Sequence, residues 1–257
     1  MKRISSNSLF HFTSQTDHLI NILENDFSPR ICIEKLTPFT RSEIAIPMVS
    51  FCDIPLSQIE LHSSQYGSYG IGLSKKWGKD KGISPVMYFH SKSNHIGPFM
   101  KAMKKYEKIA EKPNSDWKSY SDVMYSTWFY KPYEGKMWRA NAYTEKKIRF
   151  YDEKEWRYIP TPDEMYCSEI GQYSYYDEDI DKIKNYQDFK KGINDDLSKC
   201  FKLKFKPDDI KYLIVKNESE ILEMIHKLKT IKNKFSEDEL DLLCSRIISM
   251  ESIRNDF

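Results

Sequence analysis

The chain has 257 residues, enough to bury a sizeable core as one large domain or two small ones. Its 40 basic and 38 acidic residues leave a formal charge of +2, so no global field marks it as a polyanion binder. An aromatic share of 14% argues for a folded chain, and no apolar run approaches the roughly 18 residues of a membrane-spanning helix.

Residues 8–13 alternate as a strand, and Ser14-Gln15-Thr16-Asp17 then forms a helix N-cap cluster. Leu19, Ile20, Ile22 and Leu23 carry helical spacing between His18 and Asn25. Phe27 to Ile33 reads as extended, Pro47 to Asp53 as a strand, and Leu56 to His62 as a helix. Tyr66 to Ser74 reads as a loop running into a strand; its glycines do not follow G-x-G-x-x-G, so no dinucleotide fingerprint is present. Trp77 to Gly82 predicts a turn and Pro85 to Phe89 a strand. Residues 95–128 are mainly helical with a break at Pro113, and the lysines of residues 100–112 read as a solvated face where RNA contact stays open. Trp128 to Tyr133 is an aromatic connector, Phe150 to Pro160 an extended segment, and Glu164 to Asp181 a loop with a helix start. Residues 201–205 and 210–215 read as strands, residues 219–229 as an amphipathic helix, and Ser236-Glu237-Asp238-Glu239 as the cap of a last helix. Short strands interrupted by helices in no regular order predict an α+β fold.

The five cysteines (Cys32, Cys52, Cys167, Cys200 and Cys244) are odd in number, scattered, and never in a C-x-x-C pair. That spacing points to free thiols in a reducing cytosol, not to zinc or a disulfide framework. The N-terminus lacks an apolar h-region, so a cytoplasmic protein with no membrane partner is expected. No H-E-x-x-H or equivalent metal cluster occurs.

Two distant motifs carry the candidate chemistry: Phe10-His11-Phe12-Thr13 and Glu153-Lys154-Glu155-Trp156-Arg157. On strands, residues two apart share a face, pairing His11 with Thr13 and Glu153 with Glu155. A histidine and a hydroxyl can hold a ribose, while a carboxylate walled by aromatics can stabilise an oxocarbenium-like transition state. The plainer alternatives are an exposed charged strand edge for the glutamates and a backbone-satisfied histidine for His11. Arg30 reads equally as a phosphate contact or a surface cation; Tyr66 and Tyr69 suit stacking or packing. Ser50-Phe51-Cys52-Asp53 holds a nucleophile but no local base.

The blocks Leu9 to Thr13, Leu19 to Glu24, Phe27 to Arg30, Val49 to Pro55 and Tyr66 to Ser74 resemble the AbiGi family. That resemblance implies a part in abortive phage infection systems, often as the antitoxin half of a two-gene pair with a cognate toxin or phage protein as partner. More distantly, the order of features resembles ADP-ribosyltransferase-like folds, implying a mixed, mostly antiparallel split sheet with flanking helices. On that resemblance NAD would be the substrate, with Glu155 the catalytic glutamate and Glu153 the acceptor-orienting residue. His11 would contact the adenosine ribose, Thr13 and Arg30 would line the ligand, and Ser50 or Tyr69 the nicotinamide side. ADP-ribose would pass to a macromolecule, a nucleic acid among the candidates, or to water. The middle block reads Val-Ser-Phe-Cys, not Ser-Thr-Ser, so a non-enzymatic partner-binding version of the fold is the alternative. One domain over residues 1–230 is expected, with a helical extension over 231–257.

Overall fold

A computed structural model describes residues 5–36, 43–112, 117–139, 142–166, 177–231 and 234–256. Its centre is an eight-stranded, mostly antiparallel sheet. The strands are β1 (Ser8–Thr13), β2 (Arg30–Glu34), β3 (Ile44–Cys52), β4 (Tyr69–Ser74), β5 (Ser84–Pro85), β10 (Glu155–Tyr158), β11 (Ile210–Val215) and β12 (Ile247–Ser249). They run in the order β12-β11-β4-β1-β3-β10-β5, with β2 pairing on β3. Two small ribbons stand outside it, β6 (Met87–Phe89) with β7 (Tyr130–Pro132) and β8 (Trp138–Arg139) with β9 (Ala142–Tyr143).

The seam between β1 and β3 positions the site. β1 pairs with β4 along all six of its residues, yet it meets β3 at a single pair, Phe10 with Cys52. Beyond that pair β3 turns its ladder to β2, from Arg30/Met48 to Glu34/Ile44. The glycines of β4 explain the tight half: a Cβ at Gly72 would stand 2.7 Å from the Phe10 ring, and one at Gly70 2.9 Å from Phe12. Leaving those side chains out lets two phenyl rings lie flat on the sheet.

Helices flank the sheet: α1 (Thr16–Asn25), α2 (Ile59–Tyr66), α3 (Lys75–Asp80), α4 (Ile96–Ala110), α5 (Trp117–Thr127), α6 (Pro162–Tyr166), α7 (Asp177–Asn185), α8 (Gln187–Cys200), α9 (Ile221–Thr230), α10 (Glu237–Cys244) and α11 (Met250–Asp256). Three apolar cores result. One gathers Leu19, Phe27, Phe51, Trp77, Leu213 and Leu228; a second Ile31, Ile46, Ile96, Trp128, Ile193 and Leu197; a third Phe10, Phe12, Cys52, Ile59, Ile214 and Met250. They meet around the seam.

Most of the predicted elements are present, and the exceptions have local causes. Trp77 to Gly82 is largely helix, because Ser74 caps α3 by accepting from the Trp77 N–H. Residues 201–205 alternate in burial but form no ladder, making one isolated bridge between Leu203 and Phe27. The aromatic connector supplies β7, and Glu153 closes a 3₁₀ turn (Phe150–Glu153) ahead of β10. The last stretch is not helical throughout, since β12 adds a parallel edge strand to β11. Of the acidic segment from Glu164 to Asp181, residues 167–176 lie outside the described residues, as does Cys167. Among the described residues no helix is long and apolar enough to cross a membrane.

Candidate functional site

Strand β10 has an inverted amphipathic pattern. Its alternation places Glu155 and Arg157 on one buried face and half-buried Trp156 and Tyr158 on the other, against the first core. Register with β3 sets Glu155 beside Cys52 and Arg157 beside Ser50. The left-handed backbone of Lys154 (φ 46°) then turns Glu153 back toward the same space, although Glu153 is not on the strand.

Lys131 of β7, entirely inside the protein, joins the two glutamates. Its Nζ donates to Glu155 Oε2 at 2.6 Å and to Glu153 Oε2 at 2.9 Å, with Glu34 Oε1 3.8 Å away. Arg157 is 0% exposed and donates twice to Glu155, through Nε at 2.8 Å and Nη2 at 3.2 Å. The same Nη2 also reaches Glu34 Oε1 at 3.0 Å, and Nη1 donates to the Trp128 carbonyl at 2.7 Å. Ser50 Oγ donates to Glu155 Oε1 at 2.9 Å, and Tyr66 Oη to Glu153 Oε1 at 2.5 Å. Every carboxylate oxygen of Glu153 and Glu155 is therefore engaged.

Glu34, Glu153 and Glu155 against Lys131 and Arg157 give three negative and two positive charges, a net −1. Burial alone would raise the Glu155 carboxyl, but the Arg157 guanidinium and Lys131 ammonium hold it well below the usual carboxylate range. At Glu153 burial prevails over Lys131 and the pKa moves up. Burial also opposes the charge on Lys131, yet its carboxylate neighbours keep that pKa above the ordinary value.

A cleft of about 270 Å³ opens over this cluster, where β1 and β3 part. His11, Ser50, Glu153 and Glu155 all line it, as do Glu34, His62, Tyr66, Lys131 and Lys190. A neighbouring cavity of about 460 Å³ shares Glu34, Lys131, Met137 and Trp138 with it. His11 bridges the seam, its Nδ1 lying 2.8 Å from the Ser50 carbonyl. A carbonyl only accepts, so Nδ1 carries the proton and Nε2 is left as an acceptor. Burial lowers the His11 pKa and keeps the ring neutral. His62 stacks on Tyr66 at 4.4 Å, and burial, aided by Lys131, lowers its pKa to about 4.

Three of the predicted site residues stand elsewhere. Thr13 shares the His11 face but lies past the cleft, its hydroxyl donating to the Gln15 carbonyl where α1 begins. Tyr69, the β4 partner of Thr13, donates to Glu220 at 3.2 Å and does not line the cleft. Arg30 is exposed at the start of β2. The plainer expectation of an exposed E-x-E edge is overturned, since Glu153 and Glu155 are 6% and 5% exposed. Lys131 and Glu34 carry no local signal that could have announced them, and Tyr66 holds Glu153 by hydrogen bonding in place of the stacking considered for it.

Neither the glutamates nor the cysteines supply a ready nucleophile. Glu155 is held ionised and saturated, and burial raises the Cys52 thiol and takes Cys32 to about 11, so neither is a ready thiolate. Among the described residues no group of three His, Cys, Asp or Glu side chains is arranged to hold a metal ion.

The chain matches the family model for the abortive phage resistance protein AbiGi, described as an antitoxin, over residues 25–216. It is 32% identical over 232 residues to the abortive phage resistance protein AbiGi of Lactococcus lactis subsp. cremoris, an alignment covering 82% of this chain and 89% of that one. No solved structure matches it.

Proposed function

The chain belongs to the AbiGi family of abortive phage resistance proteins, and from that membership we propose that it acts as the antitoxin of a toxin pair, neutralising its partner by binding and not by turnover. The observation that carries the non-catalytic reading is the saturation of Glu153 and Glu155, whose four oxygens all accept from Lys131, Arg157, Ser50 or Tyr66. A glutamate that must stabilise developing positive charge needs an oxygen facing the substrate. Here the positive charge is already supplied by the protein.

A second reading has one observation in its favour. His11, Ser50 and Glu155 come from three different strands to a single cleft, in the chain order that an ADP-ribosyltransferase-like NAD site requires. In that reading Glu155 polarises the nicotinamide ribose after Lys131 or Arg157 swings away, and ADP-ribose passes to a macromolecular acceptor.

One experiment separates them. The purified chain is incubated with NAD labelled in the nicotinamide ring, and in parallel co-expressed with the product of the adjacent gene. The antitoxin reading expects co-purification and growth rescue, both retained in His11→Phe, with no nicotinamide released. Nicotinamide release by the wild type that disappears in His11→Phe and in a cooperatively melting Glu155→Gln would overturn it in favour of the NAD reading.

A further inference from the structure

Helix α4 carries a feature that neither reading uses. Lys101, Lys104, Lys105 and Lys108 recur at helical spacing, and Lys112 follows in the turn just past its end. At about 100° per residue these five lie within an arc of about 100°. The buried residues Ile96, Met103 and Ala110 occupy the opposite side. All five lysines are exposed, and none forms an ion pair among the described residues. Neighbouring lysines at i, i+3 and i+4 stand about 5–6 Å apart at their Cβ atoms. The result is a row of five positive charges, bordered along one edge by the exposed Glu107 and Glu111, in a protein whose formal charge is only +2. Favourable interaction with the helix dipole accounts for Lys108 in the last turn and Lys112 just past it, but not for the three ahead of them.

We propose that this face of α4 docks on the phosphate backbone of a nucleic acid, without base recognition. Protein partners are the poorer fit, because lysine is depleted at protein–protein interfaces while arginine and aromatics are enriched. This row contains no arginine. Phosphodiesters suit it well: lysine is a mobile point charge that neutralises phosphate without demanding bidentate geometry. Binding of this kind releases counterions, so affinity falls with the logarithm of salt concentration, with a slope of about −0.9 per phosphate neutralised on duplex DNA and about −0.7 on single strands. Five contacts would give slopes of about −4.5 and about −3.5 respectively.

The test is fluorescence anisotropy with the full chain and a labelled 20-nucleotide RNA or 20-base-pair DNA duplex, titrated across 50–200 mM salt. One variant changes Lys101, Lys104, Lys105, Lys108 and Lys112 to glutamine. A control changes Lys79, Lys92, Lys202, Lys204 and Lys216, exposed elsewhere, by the same total charge. The proposal expects binding at 50 mM salt that the α4 variant loses at least tenfold, with the slope reduced by about 0.9 per lysine removed on duplex DNA or about 0.7 on single strands, and that the control largely keeps. The RNA and DNA arms show which backbone is preferred. Equal losses in both variants, absence of binding at 50 mM salt, or equally tight binding of poly-glutamate would each overturn it. A circular-dichroism melt matching the wild type is required of both variants; if either unfolds, tetrasubstituted versions replace both, sparing Lys101 in the α4 variant and Lys79 in the control.

Discussion

Replacing Lys131 by Met tests the charge cluster most directly. Methionine fills the stem volume of lysine but removes the ammonium that sits 2.6 Å from Glu155 and 2.9 Å from Glu153. Glu155 keeps both hydrogen bonds from Arg157 and that from Ser50, whereas Glu153 is left with Tyr66 alone. Two cations against three carboxylates become one against three. Breaking a buried ion pair on one side costs about 3–5 kcal/mol, which for a chain of this size lowers Tm by roughly 6–20 °C. The loss depends on pH with a definite sign. Burial already raises the Glu153 pKa, and without Lys131 it rises further. A carboxyl whose folded pKa exceeds its unfolded value of about 4.3 stabilises the fold when protonated, and that stability drains away as pH climbs through the folded value. The deficit of Lys131→Met should be smallest near pH 4–5 and largest at neutral pH. Urea unfolding of wild type, Lys131→Met and Lys131→Met/Glu153→Gln at several pH values measures it. The double variant should recover more than half of the neutral-pH loss, since it removes the stranded charge. A loss under about 1 kcal/mol, or one that Glu153→Gln deepens, would refute the reasoning.

Other outcomes follow from single positions. Gly67 stands at φ 118°, where a Cβ would lie 2.0 Å from the Thr13 carbonyl oxygen; Gly67→Ala should cost at least about 1–3 kcal/mol in urea unfolding. The His62 pKa is lowered to about 4 by burial and Lys131, so the unfolded chain binds more protons than the native one between about 6.5 and 4. Stability present above pH 6.5 should fall by roughly 3 kcal/mol as pH drops to 4 or below, and His62→Phe should flatten that slope in melts across the range. Ser236 accepts from the Glu239 N–H while Glu239 reaches back to the Ser236 N–H; Ser236→Ala should cost about 0.5–2 kcal/mol, read from thermal unfolding.

Local patterning made much of the sheet and the helices legible. Residues 8–13, 47–53 and 210–215 announced β1, β3 and β11 by alternation or apolar runs, and Ser236 announced α10 by its capping box. The convergence of His11 with Glu155 was readable from the two motifs together with the resemblance to known folds. What stayed hidden is non-local. Lys131 meets Glu155 at a separation of 24 positions and Glu34 at nearly a hundred, and nothing in Trp128 to Tyr133 distinguishes a buried cation from an exposed one. Thr13 was misplaced for a different reason. Alternation correctly put it on the His11 face, but the cleft ends where β1 and β3 separate, and a period of two says nothing about where a neighbouring strand departs. Glu153 reached the cleft despite leaving the strand, through a left-handed Lys154 that no residue preference at that position predicts.

The seam between β1 and β3 has a further consequence for cooperativity. Between β1 and β3 the main-chain ladder that runs from β12 to β5 narrows to one backbone pair, joined by the His11–Ser50 hydrogen bond. Two half-sheets are welded mainly by side chains: Phe10 and Phe12 packed with Cys52, and the His11 ring against Phe51, while the carboxylate–ammonium–guanidinium lattice stays within the half that holds β3, β10 and β2. Whether they open together or one at a time is thus governed by a handful of residues, and the protein's sub-global opening can be tuned without altering either ladder.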